Sequence, residues 1–248
     1  MSDNHFKSGL HWLDALMPQG IVLPSSNLIS GPAGAGKPLI GALFCDAWLK
    51  QGGALIHLLI HFEREYAEKL LIHFNPGLTG YDERVVFIAF DPKLEGLEKT
   101  GNMYIKANLL KPDIFDEALD MARALLPDSQ LGVLIYASAL NMLLFSATYG
   151  QMIHQKVLDL LKSGQNMLFT ISDNVLEEQT ERWEEAADNV FYSHGIGIMR
   201  LAFRIEKMKN VDFKKDEVEV PLSEDELSSV RSEAEQARMN LIPVIRKI

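Results

Sequence analysis

Compact apolar runs and helical periodicities alternate along most of the chain. Residues 26–30 (SNLIS), 54–60 (ALIHLLI), 85–90 (VVFIAF), 131–136 (LGVLIY) and 167–171 (MLFTI) have strand length without the polar alternation of a half-exposed strand. They read as strands buried on both faces of a sheet. Between them the apolar spacing becomes helical. Residues 38–50 stop at Gly52-Gly53, residues 63–74 set Tyr66, Leu70 and Phe74 on one side, and residues 112–125 repeat Ile114, Ala118, Met121 and Leu125 up to Pro127. Residues 151–161 end at Ser163-Gly164, and residues 175–187 are an acidic helix-like stretch. Ahead of these lies a short amphipathic helix with Leu10, Leu13, Leu16 and Met17 at helical spacing before Pro18 and Gly20. Residues 91–112 read as irregular apart from a short strand at 103–105. Strands at 189–192 and 197–208, the latter meeting 217–222 across a polar turn, close the pattern. The order predicts an α/β core over residues 1–222, with a mostly parallel central sheet and an antiparallel C-terminal hairpin.

Residues 223–248 read as a helical tail. Ser223-Glu224-Asp225-Glu226 is a capping-box pattern, and Leu227, Val230, Ala234 and Ala237 make a thin apolar stripe on a helix dense in charge. Such a helix either docks weakly on the core or contacts another subunit.

Composition narrows the class. With 248 residues, 47% of them hydrophobic, and a mean hydropathy near zero, the chain reads as a globular domain. A formal net charge of −10 disfavours non-specific nucleic-acid binding. The lone Cys45 cannot form an internal disulfide, and residues 1–9 lack the apolar core of a signal peptide, so the expected location is cytoplasmic. The uncharged run at 131–149 approaches the length of a membrane span. It contains Ser138, Asn141, Ser146, Thr148 and Tyr149, and it is expected to be a buried strand entering an apolar loop or short helix, with no membrane involved.

Gly31-Pro32-Ala33-Gly34-Ala35-Gly36-Lys37-Pro38 lies between a predicted strand and a predicted helix. It fits the phosphate-binding pattern G-x-x-x-x-G-K-[ST] everywhere except its last position. In such a loop glycines let backbone N–H groups curl round phosphate, lysine neutralises charge and the final hydroxyl ligates Mg²⁺. Gly31, Ala33, Gly34, Ala35, Gly36, Lys37, Pro38 and Leu39 are therefore the candidate phosphate-binding residues. Pro38 suits the start of a helix but removes one N–H and the metal-ligating hydroxyl together. One lost hydrogen bond to a charged group costs roughly 1.5–3 kcal/mol. A glycine-rich turn without any ligand is the plain alternative.

Other constellations are weaker. His57 and His61 lie on a predicted strand with no cysteine nearby, so no metal site is expected. Ser138 has no G-x-S-x-G elbow around it. Between 177 and 188, Glu177, Glu178, Glu181, Glu184, Glu185 and Asp188 face Arg182 alone, a balance that repels nucleic acid and favours a protein partner. Trp183 in that stretch reads as a half-buried packing residue.

Over residues 8–222 the chain resembles the RecA superfamily, and within it the KaiC-like branch of prokaryotic ATPases. The resemblance is carried by Ser8-Gly9-Leu10 through Leu13-Asp14-Ala15-Leu16, by ISGPAGAGKP at the loop, by Ala187-Asp188-Asn189-Val190, and by Arg204-Ile-Glu-Lys-Met-Lys209. It implies a three-layer RecA-like fold and an ATP-binding core that assembles into rings with nucleotide at the subunit boundary. It also implies that the hairpin lysines reach the neighbour's nucleotide. Period-two geometry sets Lys207 and Lys209 on one strand face, where they either supply charge in trans or are simply solvated.

Three positions depart from the family. Its second strand ends in a glutamate pair that supplies the general base, and Ile60 and His61 fall there instead. Its metal-orienting aspartate is replaced by Tyr136, a poor Mg²⁺ ligand. The third loss is at Pro38. The expectation is a regulatory or assembly pseudo-ATPase that binds ATP or ADP weakly or not at all, makes little use of Mg²⁺, and acts as a homo-oligomer (ring or dimer) or with a protein partner. A working ATPase that recruits Glu63 or another carboxylate, and an interaction scaffold without nucleotide, are the alternatives.

Overall fold

The chain opens with β1 (Asn4–Phe6), the single helical turn α1 (His11–Asp14) and β2 (Ile21–Leu23), where β1 and β2 pair antiparallel. α1 is shorter than its apolar spacing suggests, because Asp14 fixes a tight entry: its carboxylate accepts from Ser8 N at 2.9 Å, Ser8 Oγ at 2.7 Å and Gly9 N at 2.9 Å. The structure, a computed structural model, describes residues 4–74, 81–197 and 200–248, without the side chains of 72–74, 230 and 238. Phe74 and Val230 of the predicted apolar stripes, and positions 198–199 of the predicted strand, therefore lie outside the described side chains and residues.

Each compact apolar run is a strand. β3 (Ser26–Ser30) leads into α2 (Lys37–Lys50), then β4 (Ala54–Leu59), α3 (Arg64–Phe74) and β5 (Val85–Phe90). The stretch read as irregular holds two strands, β6 (Leu97–Gly101) and β7 (Tyr104–Ala107), paired antiparallel. β6 (LEKTG) is a mostly exposed polar edge strand, so it carries no apolar signal. α4 (Pro112–Leu125), β8 (Val133–Ala137), a 3₁₀ turn (Leu140–Phe145), α5 (Gly150–Leu161), β9 (Asn166–Thr170), α6 (Glu177–Ala186) and β10 (Asn189–Gly195) follow. β11 (Leu201–Lys207), β12 (Val218–Glu219) and the long α7 (Glu224–Ile245) complete the chain.

The ten strands of the main sheet run in the order β12-β11-β10-β3-β9-β8-β4-β5-β7-β6. Pairing is parallel from β10 to β7 and antiparallel at both ends, so this is a mixed, mostly parallel sheet. Period-two alternation divides the side chains between two cores. Leu55, Leu59 and Tyr136 pack with α2 and α3, whereas Ile56, Leu58, Ile60 and Ile135 pack with α4, α5 and the α6 residue Trp183. Helices thus cover both faces, which explains why the strands lack polar alternation. The uncharged run at 131–149 is β8 plus the 3₁₀ turn, and among the described residues no helix is long and apolar enough to cross a membrane.

The capping box at the start of α7 forms: Glu226 N donates to Ser223 Oγ at 3.3 Å and Ser223 N to the Glu226 carboxylate at 2.5 Å. Leu227, 1% exposed, belongs to the core on the α2 side, and Ile245, 0% exposed, to the core on the α5 side. The helix therefore crosses the edge of the sheet from one core to the other. Burying one such side chain stabilises by roughly 1.5–3 kcal/mol.

Candidate functional site

All parallel strands present their carboxyl ends on one edge, where open α/β sheets hold ligands. The loop after β3, the ends of β4 and β8, and the segment after β9 meet there. Gly31 has a φ of 138°, and a Cβ on it would lie 1.9 Å from the carbonyl oxygen of Ser193. Gly36 has a φ of 60°, and its Cβ would lie 2.1 Å from Leu201 Cδ1. Both glycines are thus required by conformation and by contact. Ser193 Oγ donates to Ala35 O at 2.8 Å and Asp173 N to Gly31 O at 3.2 Å, so the loop is tied to β10 and to the segment after β9.

Lys37 is buried and turned onto its own loop, donating to Gly31 O at 2.8 Å and Pro32 O at 2.6 Å. Burial lowers its pKa to about 8, against the opposing charge of Asp173. Pro38 is the second residue of α2, one place later than its predicted position at the first helical residue. Leu39 turns into the core on the α2 side and does not face the loop's cavity.

The three departures sit in three different environments. Tyr136 is buried beneath α2, donates from its hydroxyl to Pro38 O at 3.4 Å, and occupies the space above Gly41, whose Cβ would lie 2.4 Å from that hydroxyl. Burial pushes its pKa well above the ordinary phenol value, so it stays neutral. Ile60 is buried in the opposite core. His61 faces the cavity with a buried Nδ1 that has no hydrogen-bond partner among the described residues. Burial lowers its pKa to about 4, opposed by a backbone hydrogen bond at Ser138. His57, its ring tilted against those of Phe87 and Tyr136, is lowered further, to about 3, first by burial and then by His61. Both imidazoles are neutral at pH 7.

Loop residues 33–38 and His61 border a cavity of about 330 Å³, whereas Tyr136, Ile60 and His57 lie outside its lining. Gly34, Lys37 and Pro38 form one side, and Ser138, Thr170 and Ser172 from the strand ends bring hydroxyls to it. Thr170 Oγ1 accepts from Ala139 N at 3.1 Å, which fixes the polar floor. The remaining wall is α7: Arg231, Ala234 and Glu235 line it, and Arg231 Nε donates to Gly34 O at 2.8 Å. Among the described lining residues Glu235 is the only carboxylate, and it comes from the tail rather than from the sheet. The sequence pattern showed the apolar stripe of the tail but held no signal for the surface it covers.

Lys207 and Lys209 lie outside this cavity. Lys207 Nζ donates to Glu185 O at 2.8 Å and Ala187 O at 2.6 Å, so it satisfies carbonyls at the end of α6. Lys209 follows the end of β11, and its Nζ lies 3.2 Å from Asp188 Oδ2 and 3.3 Å from Pro24 O. Neither lysine is simply solvated. Trp183 is fully buried rather than half-buried, with its indole N–H directed to His154 O at 3.4 Å. The acidic residues Glu177, Glu181 and Glu184 of α6 face a separate recess with Asp173, Glu206 and a single cation, Arg204. Among the described residues no group of three or more His, Cys, Asp or Glu side chains is arranged to hold a metal ion.

What the loop site can do follows from this inventory. It holds positive charge on Lys37 and Arg231, hydroxyls at the strand ends and a neutral imidazole, and it has no sheet carboxylate to orient a metal or take a proton from water. The chain matches no protein-family model and no curated protein.

Proposed function

We propose that the chain is a RecA-like protein of the KaiC-like branch whose loop 31–38 is a phosphate cradle without hydrolytic chemistry. It is a pseudo-ATPase that binds ATP or ADP weakly, hydrolyses it negligibly, and serves regulation or assembly through self-association or a protein partner. Lys37 and the loop backbone would hold the phosphates, which supply the negative charge that the Gly31 and Pro32 carbonyls now offer to Lys37. The observation that carries the reading is Tyr136. A neutral phenol fills the space under Pro38 and Gly41, where the resemblance calls for a metal-orienting carboxylate beside a metal-binding hydroxyl. Phosphoryl transfer depends on a metal ion and a positioned nucleophile, and among the described lining residues the strand ends bring no carboxylate to hold either, Glu235 coming from α7.

The test is equilibrium binding of ATP and ADP with Mg²⁺ and with chelator, followed together with phosphate release and with mass by light scattering. The expected result is weak binding that does not respond to Mg²⁺, with no phosphate release above background. Tight, Mg²⁺-dependent binding with turnover would overturn it. A mass change on binding would make nucleotide an assembly signal.

A further inference from the structure

α7 is built as a strap across the loop site. Leu227 anchors its first turn beside Gly36 and Leu201, and a Cβ on Gly36 would lie 3.1 Å from Leu227 Cδ2. Ile245 anchors its last turn in the opposite core, packed with residues of the 3₁₀ turn. The two anchors are 18 residues apart, about 27 Å of helix at 1.5 Å per residue. Between them the face turned to the site is polar or small. Arg231, Ala234 and Glu235 follow Leu227 at i+4, i+7 and i+8, one side of a helix, and all three border the cavity. The helix is thus held at its ends and touches the loop through a polar contact, Arg231 to Gly34 O.

The cavity volume, about 330 Å³, lies at the lower end of the roughly 300–1,000 Å³ that small-molecule sites occupy. Phosphate groups fit such a space. On the α7 side that space is bounded by Arg231, Ala234 and Glu235. The Gly34 carbonyl that accepts from Arg231 belongs to the same loop that would wrap the phosphates. Helix docking and nucleotide binding would thus both engage this loop, the helix through the Gly34 carbonyl and the phosphates through its N–H groups.

We propose that α7 is an autoinhibitory lid: with the helix docked the loop is closed to nucleotide, and nucleotide binding requires that the helix leave. This inference rests on the nucleotide reading above and adds the regulation of that site. In a two-state scheme the apparent dissociation constant is the intrinsic one divided by the fraction of open molecules, so any change that loosens α7 tightens nucleotide binding in proportion. A partner protein that captures the released helix would act in the same direction.

The test uses the full chain and its Leu227→Ala variant, with ATP in chelator as the probe. Calorimetry reads affinity and hydrogen exchange reads the amides of 224–245. ATP is expected to speed exchange across α7 in the wild-type chain, and L227A to lower the apparent dissociation constant by about ten-fold, with faster α7 exchange before ATP is added. Ile245→Ala, which removes the other buried anchor of the helix and lies outside the cavity, serves the same purpose should L227A not fold. Unchanged or slower α7 exchange on ATP binding, or faster exchange with no gain in affinity, overturns the lid and leaves the nucleotide reading standing. No ATP binding even in the variant whose helix exchanges fast removes the nucleotide reading, and the lid with it.

Discussion

The Tyr136 hydroxyl points at the carbonyl of Pro38, 3.4 Å away, so two of the three positions at which the sequence departs from the motif it resembles are in direct contact. Pro38 leaves its loop without a hydroxyl, and Tyr136 fills the ground beneath with a ring that lies over Gly41. A Cβ on Gly41 would meet the phenol at 2.4 Å from the hydroxyl and 2.6 Å from Cε2. Gly41→Ala should therefore destabilise the protein by about 1–3 kcal/mol through overpacking, despite the better helix propensity of alanine. In a Tyr136→Val background the space is free, and the same change should become neutral or stabilising by up to about 1 kcal/mol. Denaturant melts of the four proteins measure this, and equal costs in both backgrounds would show that the ring does not set the requirement for glycine.

His57 and His61 make stability depend on acid. Burial lowers their pKa values to about 3 and about 4 in the folded chain, against 6.5 for an ordinary histidine. Between those values and 6.5 the unfolded chain binds protons that the folded chain does not, so stability rises with pH across that window and falls as pH drops below 6.5. The loss from pH 7 to pH 5 should be about 1–2 kcal/mol per histidine. Replacing both with glutamine should flatten the stability profile between pH 5 and 7, whatever it does to absolute stability. A residual slope is expected from His154, which burial also shifts downward. A double variant as acid-sensitive as the parent would show that other groups govern the window.

Lys207 satisfies the Glu185 and Ala187 carbonyls at the end of α6. A cation at a helix C-terminus typically contributes about 0.3–1 kcal/mol. Lys207→Ala should lower stability by that order and leave ATP affinity unchanged. A loss of affinity that appears only in an oligomeric state would instead give Lys207 a role at a neighbour's site.

The fold was legible in the sequence where burial is two-sided. β4, β5, β8 and β9 each carry a mostly apolar run because helices cover both faces, whereas β3 (SNLIS) buries Ser26, Asn27 and Ser30 among partners of its own. β6 was not legible, because the edge strand LEKTG is mostly exposed and Leu97 alone, among its residues, packs against the core. The motifs that carry the resemblance are legible for a different reason, since they fix local structure. Asp14 ties Ser8 and Gly9, Asp188 accepts from Ser26 N at 3.1 Å, and Asn189 Nδ2 donates to Asn27 Oδ1 at 2.8 Å. Half of the site was hidden. The stripe of the tail announced a helix that packs, but Arg231 reaches Gly34 across 197 positions of sequence, and periodicity carries no information over such a separation.

Lys37 separates a binding group from a structural one. Its ammonium is buried and held only by carbonyl oxygens among the hydrogen bonds described for it, and its pKa is lowered to about 8. If phosphate binding needs that charge, ATP affinity should stay level from pH 6.5 to 7.5 and fall by about ten-fold near pH 9, where a group of that pKa is about one-tenth protonated. Bound phosphate would itself raise the lysine pKa, so the fall should shift upward in saturating ligand. Lys37→Met keeps the stem and removes the charge. Because a buried cation without a carboxylate partner adds little net stability, the variant should fold as stably as the parent or more so, while losing ATP binding. Calorimetric titrations across this pH range, run beside melts of the two proteins, read both quantities. Affinity that survives the substitution would place the phosphates elsewhere on the chain, and a collapse in stability would make Lys37 a strut of the loop.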